Sequence, residues 1–595
     1  MDCAESSSRF RATSDKRKRI KISDLPAAID DELDYQSDSS DASWLDLLAQ
    51  NSDKEHSDSE SDSHVVVERE VLNAGENISN RKSAPVKWIP KLSFKELENF
   101  VSPTGVNHNL CVGSSEIEYF SLFVNQDFCD HIAKETNKYA IQCQSKKADS
   151  KWEETNGIEI QAYLGILIYM GMVDLPEIRD YFIDDFCVCP IVRQAMTLRR
   201  FEKISQYLHL NDEEIRPKIG EQNYDFLYKV RPALDIIKKY GHHYKPGRDL
   251  SVDEAMIGFK GRFNIKQYMP KKPTKWGIKA WGIADSKTGY LLNCKIYLGK
   301  KDNSENNDLL LGEQVVMNMC RDYTGLWHHV YFDNFFTSTR LMMLLLEKQT
   351  YACGTTRACR KDWPAEFRQP KKLKLKRGES RKLQHGDVTA IVWHDNRDVL
   401  LLSTNSDPRE DDEVERNNGK GREKVKIPCP EAVVNYTKNM GGLDLADQMR
   451  DYYGVGRPSK KWWKYLFHFV INVSIVNSFI IYDISNRPAP TAHGARLLHF
   501  RRNLVLQLIG NFTSRKRTGW QRTLPTATAM PKTLHSLDKI QGRVKTCLQC
   551  KIKKRKTKSG RGIQTQYRCK QCDISLCRVG CFLTYHQERG VEIQN

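Results

Sequence analysis

Apolar and polar positions change rhythm several times along the chain, and each change predicts an element boundary. At the start there is almost no apolar pattern. SDSSDAS and HSDSESDSH alternate serine with acid, and such segments cannot bury enough surface to offset the ordering of their backbone. A disordered, acidic, serine-rich N-terminal region is therefore expected, clearest up to about residue 85 and bounded at residues 1–111. From about 112 to 246 the spacing turns helical: Ser115 and Glu118 stand as a capping box ahead of Phe120, Phe123 and Val124, and helices follow at 158–173, 190–209 and 224–241. After Pro246-Gly247 the period drops to two. Short strands are predicted at 249–253, 276–284 and 290–297, the last two joined by a turn from Asp285 to Gly289. A helix with Val315, Val316, Met319 and Cys320 on one side comes next, then a strand from Trp327 to Phe332, a helix from Ser338 to Glu347 and a strand at 351–356.

Three strands, a helix, a strand, a helix and a strand is the order of an RNase H-like α/β domain. Residues 358–431 break that rhythm with LKLKRGES, a β-like run from Val388 to Ser403 and polar sequence around Ser406 to Gly421, which predicts an inserted β-rich unit. Helical spacing resumes after Pro430, is interrupted near Gly454 to Pro458, and continues through the apolar stretch Trp462 to Tyr482. A Ser/Thr/Pro linker leads to a cysteine-rich end.

Composition adds a partner class. Across 595 residues, 93 Lys and Arg face 75 Asp and Glu, a formal charge of +18, so the folded surface attracts a polyanion, most simply nucleic acid. Hydrophobic residues make up 39% of the chain, with 11 Trp, 24 Tyr and 22 Phe, which is ample for buried cores. Of 17 cysteines, six fall between Cys547 and Cys581, the distribution of reduced thiols plus one metal module. The opening MDCAESSSRF carries no apolar signal-peptide run, and the stretch Tyr163 to Leu175 is too short to span a bilayer, so an intracellular protein without a membrane partner is expected. Lys16-Arg17-Lys18-Arg19 resembles a nuclear-import signal and makes the nucleus the expected location.

Three stretches carry acids that suggest chemistry. Asp253 follows Leu250-Ser251-Val252 and Asp333 follows Val330-Tyr331-Phe332, so each is expected at the C-terminal end of a strand; pairing those strands in parallel brings both carboxylates to one edge. In GGLDLADQM, Asp444 and Asp447 are three apart on a helix and share a face, while Gly441-Gly442 permits close backbone approach. A lone aspartate after a strand is more often a turn or cap residue. Several gathered together repel unless a cation neutralises them, and Mg²⁺ (or Mn²⁺) suits hard oxygen ligands and phosphate substrates. A pair of such ions activates the attacking oxygen and stabilises the leaving one in phosphoryl transfer.

Other stretches suggest contacts. FKGRFNIKQYMPKKPTKWGIK interleaves Lys260, Arg262, Lys266, Lys271, Lys272 and Lys275 with Phe259, Phe263, Tyr268 and Trp276, a pattern in which cations hold phosphates and rings stack on unpaired bases, unless the rings are simply core. Trp462 and Trp463 follow Ser459-Lys460-Lys461, so Trp462 is a candidate to support distorted DNA near the cleavage site, although both begin an apolar stretch, where tryptophan is more often packing than contact. Cys547-x-x-Cys550 and Cys569-x-x-Cys572, with Cys577, Cys581 and His586 following, are ligands suited to tetrahedral Zn²⁺; a disulfide knot is the alternative. Lys551, Lys553, Lys554, Arg555, Lys556 and Lys558 form a basic loop between the two knuckles, suited to phosphates or to nuclear import.

SVDEAMIGFKGR, YFDNFFTS and NMGGLDLADQM followed by NSFIIY, in this order and spacing, resemble the piggyBac transposases, and the likeness extends over most of residues 112–595. The resemblance implies that Asp253, Asp333 and Asp444 are the catalytic aspartates, with Asp447 a further acidic position beside them. It implies nicking at each transposon end, attack by the freed 3′-OH to form a hairpin, hairpin opening, and joining at TTAA. It places Trp462 at a tryptophan of the family pattern and suggests a cross-braced two-zinc domain, for which seven ligands are evident where eight are needed. A homodimer is expected because two DNA ends must be brought together.

The expected fold class is a multidomain α/β protein, with an RNase H-like core and β-rich insertion flanked by helical DNA-binding regions and a C-terminal zinc module. Its parts are a helical dimerisation or DNA-binding region at 112–247, the core at 248–357 and 432–456 around an insertion at 358–431, a second helical region and linker at 457–540, and the zinc module at 541–595. A domesticated, DNA-binding descendant without transposition and a zinc-containing chromatin adaptor are the competing readings.

Overall fold

The alternating run from Asp249 onward does not stop at Asp253. It continues through Ala255 and Ile257 on the same face, and in the computed structural model it forms a ten-residue strand, β1 (Asp249–Gly258). Described residues are 86–183, 189–270, 272, 274–299, 308–417, 424–486, 493–515, 535–570 and 572–588. The acidic head up to residue 85, the Lys16–Arg19 run and Lys271 lie outside them.

β1 is an interior strand of a nine-stranded mixed sheet. Its other strands are β2 (Lys266–Tyr268), β3 (Trp276–Asp285), β4 (Leu291–Ile296), β5 (His329–Phe332), β6 (Tyr351–Thr355), β7 (Ser380–His385), β8 (Val388–His394) and β9 (Asp398–Ser403). On one side β1 pairs antiparallel with β3 from Leu250↔Asp285 to Gly258↔Gly277, and β4 and β2 share the outer edge of β3. On the other side β1 pairs in parallel with β5, from Asp249↔His329 to Val252↔Phe332, and β5 pairs in parallel with β6. The turn before β4 forms as the pattern requires: Gly289 has φ +70° and donates its N–H to the Asp285 carbonyl at 2.9 Å.

The segment expected as an inserted unit is β-rich but not separate. β9 pairs antiparallel with β6, and β8 and β7 follow, so three of its strands extend the central sheet. Only β10 (Asp411–Asn417) and β11 (Lys424–Pro430) form a hairpin of their own. The far edge strand β7 is covered by part of the region expected to be disordered. Ile89 and Gln384 exchange both backbone hydrogen bonds at 2.9 Å, and Trp88 Nε1 donates to the Asp362 carbonyl at 2.8 Å. The bound at 111 is too long because Trp88, Leu92, Phe94 and Phe100 give residues 86–111 apolar surface to bury, and the strap protects an otherwise open strand edge.

The helical region starts at the predicted capping box: the Ser115 N–H donates to Glu118 Oε2 at 2.7 Å and opens α1 (Glu116–Ser121). α2 (Gln126–Lys146) and α3 (Gly157–Met172) follow. The helix expected over 190–209 is two, α4 (Pro190–Ala195) and α5 (Leu198–Tyr207), because Thr197 turns out of the helix and caps the second, accepting from the Arg200 N–H at 3.2 Å. The helix expected over 224–241 is a chain of short turns between Tyr228 and His243, where Pro232 supplies no backbone donor.

α6 (Leu311–Met319) buries Val315, Val316 and Met319, and Cys320 beyond it is also buried; α7 (Thr339–Glu347) is capped by Ser338. After α8 (Glu431–Asn439) and α9 (Gly442–Tyr452) comes α10 (Trp462–Asn486), longer than the Tyr163–Leu175 stretch. By length and composition α10 is able to cross a membrane, but 83% of its apolar window is buried inside the protein. It is the core helix, with α11 (His493–Ile509) against it. Its buried asparagines fix register rather than solubility: Asn477 pairs with both backbone groups of Leu291 on β4, at 3.1 and 2.9 Å, and Asn472 donates to the Arg450 carbonyl of α9 at 2.9 Å.

Candidate active site and zinc module

Asp253 and Asp333 are brought together by the parallel register. Val252 faces Phe332, so the next residue on each strand is an aspartate. The expectation that both end their strands holds for Asp333 only; Asp253 sits halfway along β1, where β5 stops beside it. Asp333 opens a turn, its Oδ1 accepting the Phe335 N–H at 2.8 Å, which fixes its side chain. Asp253 is 8% exposed. Burial pushes its carboxyl up to about 7; Lys272 opposes the rise, and Glu254 and Asp333 add to it.

α9 delivers the other two aspartates to the same face of β1. Ser251, two residues before Asp253 and thus on its side of the sheet, accepts the Leu443 N–H at 3.1 Å. Gly442 allows this approach, since a Cβ there would lie 2.5 Å from Ser251 Oγ, 2.8 Å from Ser286 Cα and 2.9 Å from the Asp285 carbonyl oxygen. Gly441 faces open space, so only one of the predicted pair is needed for contact. Gly442→Ala is expected to cost roughly 1–3 kcal/mol in denaturant unfolding and to lift α9 off the sheet. Unchanged stability would mean that α9 is not seated this closely. Asp444 is exposed, whereas Asp447 is half-buried and paired with Arg450 Nη1 at 2.9 Å. Burial pushes Asp447 up to about 6, against the pull of Arg450.

Between these acids stands Lys272. Its ammonium lies 3.8 Å from Asp253 Oδ2 and donates to the Glu254 carbonyl at 3.1 Å. Burial works against its charge, but Asp253, Glu254, Asp444 and Asp447 outweigh it and raise its pKa. Among the described residues, the metal-type donor sets lying within 4.8 Å of one another are two Cys/His groups; the four aspartates do not close to that distance.

Those two groups account for the cysteine-rich end. One is Cys547, Cys550, Cys577 and Cys581; the other is His535, Cys569, Cys572 and His586. They alternate along the sequence, so each pair of ligands in one set is followed by ligands of the other, a cross-brace. All six cysteines are free thiols, so no disulfide knot forms. Sulfur separations of 3.4 and 3.9 Å from Cys550 to Cys581 and Cys577 bracket the spacing of about 3.8 Å expected around tetrahedral zinc. His586 Nδ1 donates to the Phe582 carbonyl at 2.8 Å, leaving Nε2 as the ligand atom, 3.6 Å from Cys572 Sγ. The donor sets fit two Zn²⁺.

His535 is the eighth ligand that the sequence count lacked. It lies in the segment expected as linker, before the boundary at 541. β12 (Leu537–Lys539) pairs antiparallel with β13 (Tyr567–Cys569), Leu537 opposite Cys569, and this draws His535 Nδ1 to 3.1 Å from Cys572 Sγ and 3.5 Å from Cys569 Sγ. The signal available in the sequence was the shortfall itself, which called for one more histidine or cysteine upstream.

Comparison with known families settles the ancestry. A family model described as Transposase IS4 matches residues 115–479, and one described as a DDE_Tnp_1-like zinc finger matches residues 531–587. The chain is 26% identical to the human PiggyBac transposable element-derived protein 3 over 482 residues, 79% of this chain and 76% of that protein. It belongs to the piggyBac transposase family. Human PiggyBac transposable element-derived protein 5 is 22% identical over 437 residues, 71% of this chain and 81% of that protein. A solved piggyBac transposase synaptic complex with hairpin DNA superposes with TM-score 0.60 at 24% identity, covering 83% of this chain and 99% of that one, which shows a shared fold.

Within this piggyBac-family fold the basic residues singled out by sequence divide. Lys260, Arg262 and Lys275 are exposed, and Lys266 is half-buried with its ammonium 5.1 Å over the Trp276 ring. Lys272 points into the acidic site instead. Phe259 is core, at 1% exposure, and Phe263 stacks on Trp462 with ring centres 4.3 Å apart, so one face of Trp462 is already taken. Tyr268 and Trp276 remain open, their rings 4.5 Å apart at the hairpin of β2 and β3. In the zinc module Lys553 pairs with Glu588 at 2.8 Å, while Lys554 and Arg555 are exposed.

Proposed function

We propose that the chain is a cut-and-paste DNA transposase whose RNase H-like core carries a metal-dependent nuclease and strand-transfer site. The observation that carries this is the parallel register of β1 and β5, which sets Asp253 and Asp333 side by side on the face where α9 brings Asp444 and Asp447. With the short edge strand β2 set aside, β1, β3, β4, β5 and β6 support the RNase H-like reading, since in chain order they lie in the spatial order third, second, first, fourth, fifth with only the second, β3, reversed.

The acids fit Mg²⁺ or Mn²⁺ on donor chemistry: hard carboxyl oxygens, with ionisation suppressed by burial at buried Asp253 and half-buried Asp447, and a lysine ammonium already drawn in beside them. Asp253, Asp333, Asp444 and Asp447 would hold the ions, which when bound would activate the attacking oxygen and stabilise the departing one. The parallel strands fix the first two acids on a rigid sheet, Ser251 and Gly442 seat the helix carrying the others, and the Asp333 turn orients its carboxylate. Water attacks the phosphorus at a transposon end and the P–O3′ bond breaks, the 3′ oxygen leaving as a hydroxyl. That hydroxyl then attacks a phosphorus of the opposite strand, whose P–O3′ bond breaks to free the flanking 3′-OH, and a hairpin closes; water opens it and restores the transposon 3′-OH, which joins the ends at TTAA by breaking a P–O3′ bond of the target. Exposed Lys260, Arg262 and Lys275, with the Tyr268–Trp276 pair, line the DNA path, and Lys554 and Arg555 extend it on the zinc module. The protein works in the nucleus as a homodimer on double-stranded DNA.

The test is purified, zinc-loaded protein incubated with the terminal sequences that flank its own gene. With Mg²⁺, nicked and then hairpin products are expected; with chelator, bound but uncut DNA. Binding without cutting under any divalent ion would replace this reading by that of a DNA-binding descendant without transposition.

A further inference from the structure

Lys272 does not stand where a phosphate-holding lysine belongs. Its neighbours in sequence, Lys260, Arg262 and Lys275, face solvent, whereas the Lys272 side chain is only 25% exposed and its ammonium is directed at the acids. It donates to the Glu254 carbonyl at 3.1 Å and lies 3.8 Å from Asp253 Oδ2, close enough to neutralise but too far for a direct hydrogen bond. Lys279, a second lysine near these acids, is held differently: its ammonium sits 3.9 Å over the Trp281 ring and 5.1 Å over that of Phe335, caged by aromatic faces. Among the described residues no aromatic ring cages the Lys272 ammonium in this way.

A buried carboxylate without a counter-charge is costly, and a cation brought into the same space repels one already there. We propose that Lys272 is the built-in counter-cation of the acidic site, holding the place beside Asp253 until a divalent ion binds and expels its ammonium. This rests on the reading that the aspartates are metal ligands. Metal affinity is then set by a competition: each ion that enters must displace a tethered charge, and the apparent affinity falls by the fraction of molecules in which the ammonium occupies the site. Without metal, the same ammonium keeps the four acids from repelling one another.

The experiment uses the full, zinc-loaded chain without DNA, titrated with Mn²⁺ and followed by electron paramagnetic resonance of free Mn²⁺, with thermal melting alongside. Lys272→Gln is expected to bind Mn²⁺ about tenfold more tightly than the parent, to melt lower in the absence of Mn²⁺, and to gain more from its addition. Lys272→Arg keeps the charge and is expected to titrate like the parent. Lys275→Gln removes the same charge from an exposed neighbour and should shift affinity by less than about twofold. Unchanged or weaker Mn²⁺ binding in Lys272→Gln, with binding abolished in Asp253→Asn, would overturn the counter-cation role while leaving the aspartate site intact. Full Mn²⁺ binding by Asp253→Asn would remove the aspartate site and this inference with it.

Discussion

Asp253→Asn and Asp333→Asn proteins are expected to bind transposon-end DNA as the parent does and to cut it at least about a thousandfold more slowly. The asparagine side chain keeps the size of the acid, so β1, β5 and the Asp333 turn should survive, and the Phe335 N–H still finds an acceptor. What is lost is negative charge at the two positions the parallel register sets together. Asp444→Asn should behave in the same way. At Asp447 a second consequence enters, because its carboxylate also pairs with buried Arg450. Asp447→Asn should lower stability as well as cleavage, since buried Arg450 keeps only the longer pairing of its Nε with exposed Asp451, at 3.4 Å. Product analysis on denaturing gels, with binding measured separately by mobility shift, distinguishes the outcomes. Parental cutting rates in any one variant would remove that residue from the chemistry.

The second large effect concerns zinc. Binding of each ion is folding free energy for a module with so small an apolar core, roughly 10 kcal/mol or more per site, so a strong chelator should unfold residues 535–588 while the central sheet persists. The cross-brace makes the prediction specific. Elemental analysis should find two zinc ions per chain in the parent, one in His535→Ala, and one in Cys547→Ser, because the two substitutions strike different sets. The His535 variant tests the ligand that sequence spacing did not supply; two zinc ions retained in it would return that set to three protein ligands. Loss of the module should also weaken DNA binding, through Lys554 and Arg555 on its exposed loop.

Much of the core was legible because its signals are local. Period-two runs gave the strands, the Asp285–Gly289 turn has a glycine where positive φ is required, and Gly442 marks a place where backbone must approach backbone. Errors arose where a distant partner decides. The strand holding Asp253 continues to Gly258, with β3 paired along its whole length, although the alternation through Ala255 and Ile257 already allowed the longer strand. Residues 86–111 read as tail because their apolar residues follow neither a helical nor a strand period, and the edge they cover is almost 300 positions away at Gln384. His535 is isolated in sequence and becomes a ligand only through the pairing of Leu537 with Cys569. Lys272 sat in a basic run and was grouped with the DNA contacts, although its length lets it turn back to Asp253.

The most direct test is a structure of the protein bound to its own end DNA in Mn²⁺, with the ions located by anomalous scattering. Manganese should lie at coordination distance, about 2.0–2.4 Å, from oxygens of Asp253, Asp333 and Asp444, beside the phosphate to be cut and with the Lys272 ammonium moved away. Manganese found elsewhere in a complex that cuts, with these carboxylates still apart, would contradict the account at its centre.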